Sequence, residues 1–191
     1  MTAILIGGTP GTGKSAVAKI LGSLLSCEVV SLTDLAIKKG CISAHDAARD
    51  TDILDEDCLV EVLCDILDDK RRRLIVEGHY IDLVPFDRVD YAIVLRTHPE
   101  KLRSRLTERG YSEAKVKENV EAEVIGVCQL DALDSFGEDK VVEIDTTDME
   151  PHEVAEAIVQ VTRGRKTPRH RYDWMELLEK EGRLDEFLPP D

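Results

Sequence analysis

No apolar run in this sequence approaches the length of a membrane-spanning helix. The N-terminal stretch Ala3-Ile4-Leu5-Ile6-Gly7 is too short for a secretory leader and has no basic residues before it. There is no C-x-x-C pair. The five cysteines (Cys27, Cys41, Cys58, Cys64, Cys128) are odd in number and scattered, which argues against structural zinc and against a disulfide framework. Reduced thiols in a soluble cytoplasmic protein are the simplest expectation. Positive charge is also scarce. A net charge of −14 argues against non-specific nucleic-acid binding and against adhesion to anionic lipid. Internal repeats and low-complexity segments are absent. At 191 residues and 42% hydrophobic content the chain suits one ordinary globular domain.

What is present begins at Gly8-Thr9-Pro10-Gly11-Thr12-Gly13-Lys14-Ser15, a G-x-x-x-x-G-K-[ST] segment that follows an apolar run and opens a helical pattern. Glycines let the backbone curl so that successive N–H groups point at an anion, and the helix start adds the positive end of its dipole. Gly11, Thr12, Gly13, Lys14, Ser15 and Ala16 are therefore candidate ATP-binding residues. In such a loop the lysine reaches the β- and γ-phosphates, and the serine hydroxyl ligates Mg²⁺.

Downstream, apolar spacing predicts a helix over residues 14–25, with Val17, Ile20, Leu21 and Leu24 inward. A strand at Glu28-Val29-Val30 and a helix capped by Ser31 or Thr33 and ended by Gly40 follow. Residues 40–52 read as loop or frayed helix. Asp55 caps the next helix, whose C-terminal end Lys70 to Arg73 would complement. Short continuous apolar runs at Leu74-Ile75-Val76, Tyr91-Ala92-Ile93-Val94-Leu95 and Val141-Val142-Glu143-Ile144 read as central parallel strands. One long helix is expected to carry Val116, Val120, Val124, Val127 and Leu130 on one side. Alternating strands and helices predict an α/β P-loop fold with a parallel sheet of about five strands flanked by helices, its ligands at the carboxyl ends of the strands.

Glu77-Gly78-His79 and Arg96 fall at such ends. Glu77 is a candidate for holding a metal-bound water, and His79 for orienting acceptor or water. A phosphate loop names the donor and leaves water, a metabolite or a nucleotide as acceptor. Transfer to a second phosphate needs converging guanidiniums. Arg96, Arg105 and Arg109 are the candidates, the last two four residues apart at the edge of a possible lid. A solvated helix face is the alternative for that pair.

Four stretches give the chain a resemblance to the adenylate kinase isoenzyme 6 family: the phosphate loop; Ile53-Leu54-Asp55-Glu56-Asp57; Val94-Leu95-Arg96; and Arg105-Leu106-Thr107-Glu108-Arg109-Gly110-Tyr111 with Asn119 after it. The match spans about residues 3–135. It implies transfer from Mg²⁺-ATP to AMP, ATPase activity, and a small-ribosomal-subunit platform protein as partner. It also implies a monophosphate-binding segment at residues 31–54 with Asp34, Lys38, Gly78 and His79 at the acceptor, a lid at residues 108–118, and Arg109 on ATP. The sequence departs from that family twice. Glu77-Gly78-His79 stands where Asp-Tyr-His is usual, and Ile37 where an arginine meets the monophosphate. The rival readings are a ribosome-assembly ATPase switch and a small-metabolite kinase.

The kinase domain is expected to span residues 1–163, with 164–191 as an appended tail. Its basic stretch Arg163–Arg171 could touch ribosomal RNA; its shortness favours a solvated linker or a tail folded back on acidic surface.

Overall fold

Short runs of aliphatic residues become buried strands, and the polar, capped segments between them become helices. The computed structural model describes residues 3–47, 51–69, 71–164 and 170–188. In chain order, β1 (Ala3–Gly7) leads through the phosphate loop into α1 (Lys14–Leu25), then β2 (Glu28–Ser31) and α2 (Leu32–Lys39). A hairpin, β3 (Ile42–Asp46) and β4 (Thr51–Leu54), precedes α3 (Glu56–Leu67) and β5 (Leu74–Glu77). Then come β6 (Val89–Arg96), α4 (Pro99–Glu108), α5 (Glu113–Ile125), α6 (Val127–Lys140), β7 (Val141–Asp145), α7 (Pro151–Thr162) and α8 (Trp174–Lys180).

Five strands form one parallel sheet in the order β2-β5-β1-β6-β7. Alternation along each strand sorts the core into two layers. Leu5, Val76, Ala92 and Val94 face Leu35, Leu59, Leu63 and Phe136 of α2, α3 and α6. Ile4, Ile6, Ile75, Ile93 and Leu95 face Val17, Leu21, Val154 and Ile158 of α1 and α7. Both faces are covered, as a parallel sheet requires.

The helix ends follow the expected chemistry. The Ser31 hydroxyl accepts from the Asp34 N–H, Gly40 closes α2 at φ 75°, and the Asp55 carboxylate accepts from the Cys58 N–H. Lys70 lies outside the described residues, whereas Arg72 pairs with Glu28 at the start of β2.

Four expectations are corrected. Residues 42–46 and 51–54 pair as antiparallel strands, with Ser43 Oγ donating to Ile53 O (3.1 Å) and His45 facing Asp52 (2.8 Å). Most residues of the pair are exposed, so no apolar alternation announces it. A disulfide joins Cys41 to Cys58 at its base, Cα to Cα 5.4 Å, where free thiols were expected; the fold brings together two cysteines that are 17 residues apart. The single long helix is broken at Gly126, φ 79°, so Val127 and Leu130 turn out to solvent. Leu24 is likewise 47% exposed.

The tail is integral. Leu178 and Phe187 are buried with Leu102, Leu106, Val116, Val120 and Val124, forming a third apolar cluster against α4 and α5.

Candidate active site

The phosphate loop leaves β1 at Gly7 and curls over the start of α1. Gly8 has φ 134°, and a Cβ there would meet the Leu95 carbonyl oxygen at 2.4 Å, so only glycine fits. Thr12 is buried beneath the loop, its hydroxyl donating to Thr9 O (2.9 Å). Its side chain shapes the loop from beneath. The Lys14 ammonium donates to Gly8 O (2.7 Å) and Thr9 O (3.0 Å). Loss of hydration lowers the Lys14 pKa from the usual lysine range; Cys128, Glu77 and Glu123 oppose the shift and Arg109 adds to it. Ser15 Oγ donates to Glu77 Oε1 at 3.1 Å, bringing a hydroxyl and a carboxylate together at the carboxyl ends of β1 and β5.

These residues border an open cleft of about 1060 Å³. Gly11, Gly13, Lys14, Ser15 and Ala16 line it from the loop, Asp34 from α2, and Glu77, Gly78 and His79 from the end of β5. Across from them stand Arg109, Tyr111, Lys115, Glu118 and Asn119. Burial, with a smaller push from Lys14, brings the His79 pKa down to about 4, so its imidazole is neutral at neutral pH. Burial raises the Cys128 thiol to about 11.

The three candidate arginines part ways. Arg109 caps α4 and lines the cleft, and its guanidinium has no hydrogen-bond or ion-pair partner among the described residues. Its charge is felt at Lys14, so two cations share one cavity. Arg105 is committed elsewhere, donating to Thr146 O (2.9 Å) and Thr97 Oγ1 (3.3 Å). Arg96 is 1% exposed and spends its donors on Glu123, Gln129 and the Tyr172 carbonyl. Neither lines the cleft, so their assignment to the phosphates is corrected: a buried guanidinium needs its own partners, and these have found them.

On the acceptor side Lys38 and Ile37 stay outside the cleft, Ile37 being 58% exposed. Lys38 is exposed one helical turn after the cleft-lining Asp34 on α2. The segment expected to be a lid is mostly helix, with one tight turn at Gly110 (φ 76°) between α4 and α5.

Sequence reasoning missed Lys19, Tyr80, Lys115, Cys128 and Asp131, all cleft-lining. It also missed Glu123, whose carboxylate accepts from Thr9 Oγ1 at 2.5 Å. The signal for Glu123 was present, since an acidic residue shares the inward face of Val116, Val120 and Val124.

Comparison with known proteins fits this geometry. Residues 4–126 match the AAA domain family. A protein of Pyrococcus abyssi named "Putative adenylate kinase" is 38% identical over 187 residues, covering 97% of this chain and 95% of its own. Proteins of the same name from Methanothermobacter thermautotrophicus and Archaeoglobus fulgidus are 43% and 42% identical, over 161 and 190 residues, covering 84% and 97% of this chain and 90% and 97% of their own. Among solved structures, a shikimate kinase from Acinetobacter baumannii in complex with shikimate superposes with a TM-score of 0.60 at 16% identity, covering 87% of this chain and 95% of that one; it shares the fold. With its phosphate loop at the end of β1 and its match over the first two thirds of the sequence, the chain belongs to an adenylate-kinase-like family of P-loop AAA-domain proteins.

Proposed function

We propose that this chain is a nucleoside monophosphate kinase that moves the γ-phosphate of ATP to AMP and also hydrolyses ATP. One observation carries the reading: Lys14 and an uncommitted Arg109 share one cleft in a chain of net charge −14. Two cations held together without a neighbouring counter-ion for Arg109 make a site for a polyanion.

In this reading Lys14 and Arg109 hold the transferring phosphoryl group, while loop N–H groups cradle the phosphates behind it. Ser15 and Glu77 supply hard oxygen donors, the type that Mg²⁺ prefers. Among the described residues no group of three or more His, Cys, Asp or Glu could hold a metal alone, so a cation here would share its ligation with the nucleotide. Bound there, Mg²⁺ would neutralise charge on the phosphate oxygens. His79, neutral and beside Gly78, can accept from or donate to the acceptor according to its tautomer. Asp34 borders the acceptor end. With Ile37 in place of an arginine, the acceptor phosphate depends on Arg109 and the lysines of the cleft, Lys19 and Lys115.

The likeness to relatives named adenylate kinase, together with this site, supports AMP as acceptor. ADP formation from ATP is expected to rise strongly when AMP is added. An AMP-independent rate would instead leave an ATPase switch, and a panel of hydroxyl-bearing metabolites would expose a different acceptor. The resemblance to the isoenzyme 6 family adds a partner from the small ribosomal subunit platform, tested by its retention on the purified chain. In the basic stretch, residues 165–169 lie outside the described residues, and Arg171 turns back to Glu143 (3.0 Å), which supports the folded-back tail over an RNA contact.

A further inference from the structure

Two buried carboxylates lie behind the phosphate loop, and neither takes part in the chemistry above. Glu123 is 1% exposed and accepts four hydrogen bonds, from Thr9 Oγ1 (2.5 Å), Arg96 Nε (2.9 Å), Thr97 N (3.0 Å) and Trp174 Nε1 (3.1 Å). Glu143, 5% exposed, accepts from Gln129 Nε2 (2.9 Å), Arg171 Nη1 (3.0 Å) and Tyr172 N (3.1 Å). Arg96 lies between them, donating to the Glu123 carbonyl (2.9 Å), the Tyr172 carbonyl (3.0 Å) and Gln129 Oε1. Two carboxylates and two guanidiniums balance, so the cluster can persist without water.

Its members come from distant parts of the chain: the loop, the end of β6, α5, α6, β7 and the segment Arg171–Trp174. Thr9 is the member that matters for function. Its hydroxyl is tied to Glu123, and its carbonyl receives the Lys14 ammonium at 3.0 Å. The Trp174 indole is therefore joined to the phosphate-binding lysine through one carboxylate and one threonine. Glu123 also belongs to α5, which presents Lys115, Glu118, Asn119 and Ala122 to the cleft.

We propose that Glu123 is a positioning residue for phosphate transfer, holding Thr9 and hence Lys14 in register with α5, and that the C-terminal segment completes it through Trp174. The proposal rests on the reading of the loop as an ATP site. A tail docked on the outer face of α4 and α5 then works as part of the enzyme, setting loop geometry from behind.

Trp174 is the sole tryptophan in the chain, so its emission reports on this cluster. Mg²⁺-ATP should be titrated while emission and calorimetric heat are followed in parallel. The emission of the wild-type chain is expected to change saturably, with the midpoint that calorimetry gives. In Thr9→Val, which removes the hydroxyl and keeps the side-chain shape, ATP should still bind while the emission change is lost. Kinetics supply a second arm. Thr9→Val and Trp174→Phe are each expected to lower kcat roughly tenfold, and the double variant by about the same factor and not by its square. Should Trp174→Phe fail to fold, the emission of Thr9→Val decides alone. Equal emission changes in wild type and Thr9→Val, or factors that multiply, would overturn the coupling. ATP binding with silent Trp174 would do the same and leave the ATP site standing. A chain that takes up no ATP overturns both readings.

Discussion

His79, Lys14 and Cys128 have proton affinities set by where they sit in the cleft. His79 titrates at about 4 in the fold against 6.5 for the free side chain. Above pH 6.5 both folded and unfolded forms are neutral and the group has no effect. As pH falls towards 4 the unfolded chain takes up the proton first, so stability declines by about 1.4 kcal/mol per pH unit, to a total of about 3 kcal/mol. Replacing His79 with Gln is expected to flatten that part of the profile. Urea melts of both proteins at about pH 7, 5.5 and 4 check it, and parallel profiles would refute it. Lys14→Ala should cost roughly 10²–10³ in kcat, the usual scale for one preorganised charge at a transition state. Arg109→Ala should lower kcat more than it weakens ATP binding, because among the described residues its guanidinium has no partner and is left for the transferring phosphate. Near-normal kinetics in either variant would remove that residue from the site. Lys14 was legible in the sequence because its spacing is imposed by the loop. The division between Arg109 and the other two arginines was not, since only their partners in space tell the three apart.

At the scale of elements, the five parallel strands and most helix ends could be read directly. Buried strands must be continuously apolar, and caps need particular side chains. The β3–β4 hairpin escaped because its pairing is antiparallel and largely solvated, with only Ile42 and Leu54 packed on the core. Its base is closed by the Cys41–Cys58 bond, which spans 17 residues. Closing a loop of that size limits the unfolded chain by about 3 kcal/mol. Cys58→Ser is therefore expected to lower stability by up to that amount, and, if the hairpin and α2 form the acceptor side as proposed, to raise the KM for AMP more than the KM for ATP. Thermal melts and initial rates test this; a KM rise confined to ATP would contradict it. Gly126 separates α5 from α6 at φ 79°, and an added Cβ would meet Gln129 Oε1 at 2.8 Å. Gly126→Ala should cost about 1–3 kcal/mol, seen as a lower denaturation midpoint with an unchanged slope.

Over the whole molecule, a chain of net charge −14 sets Lys14, Lys19, Arg109 and Lys115 against Asp34, Glu77, Glu118 and Asp131 at one cleft, so the lining is balanced where the chain as a whole is acidic. No helix among the described residues is long and apolar enough to cross a membrane. The C-terminal segment is the largest departure from the linear reading. Trp174, Leu178 and Phe187 are buried, and Arg96 and Glu143 both bond to residues 171–172. Deleting residues 170–188 should therefore do more than shorten a tail. It would expose the α4–α5 cluster and leave buried charges short of partners, a change on the scale of several kcal/mol. The expected result is a large fall in melting temperature; a truncated chain that melts with the intact one would show the segment to be dispensable.

By itself the sequence determined the phosphate loop, the parallel α/β order of elements and the kinase-like family, because each depends on local spacing or on continuous apolar runs. Only the tertiary structure decided which arginine faces the cleft, that Cys41 meets Cys58, and that Glu123 stands behind the loop with the tail locked to it. Those outcomes turn on which buried polar group finds which partner. Such partners lie tens of residues away: Thr9 and Glu123 are separated by 114 positions, and Arg96 and Tyr172 by 76. Burial makes each unpaired donor or acceptor costly, so the fold selects the one arrangement that satisfies them together.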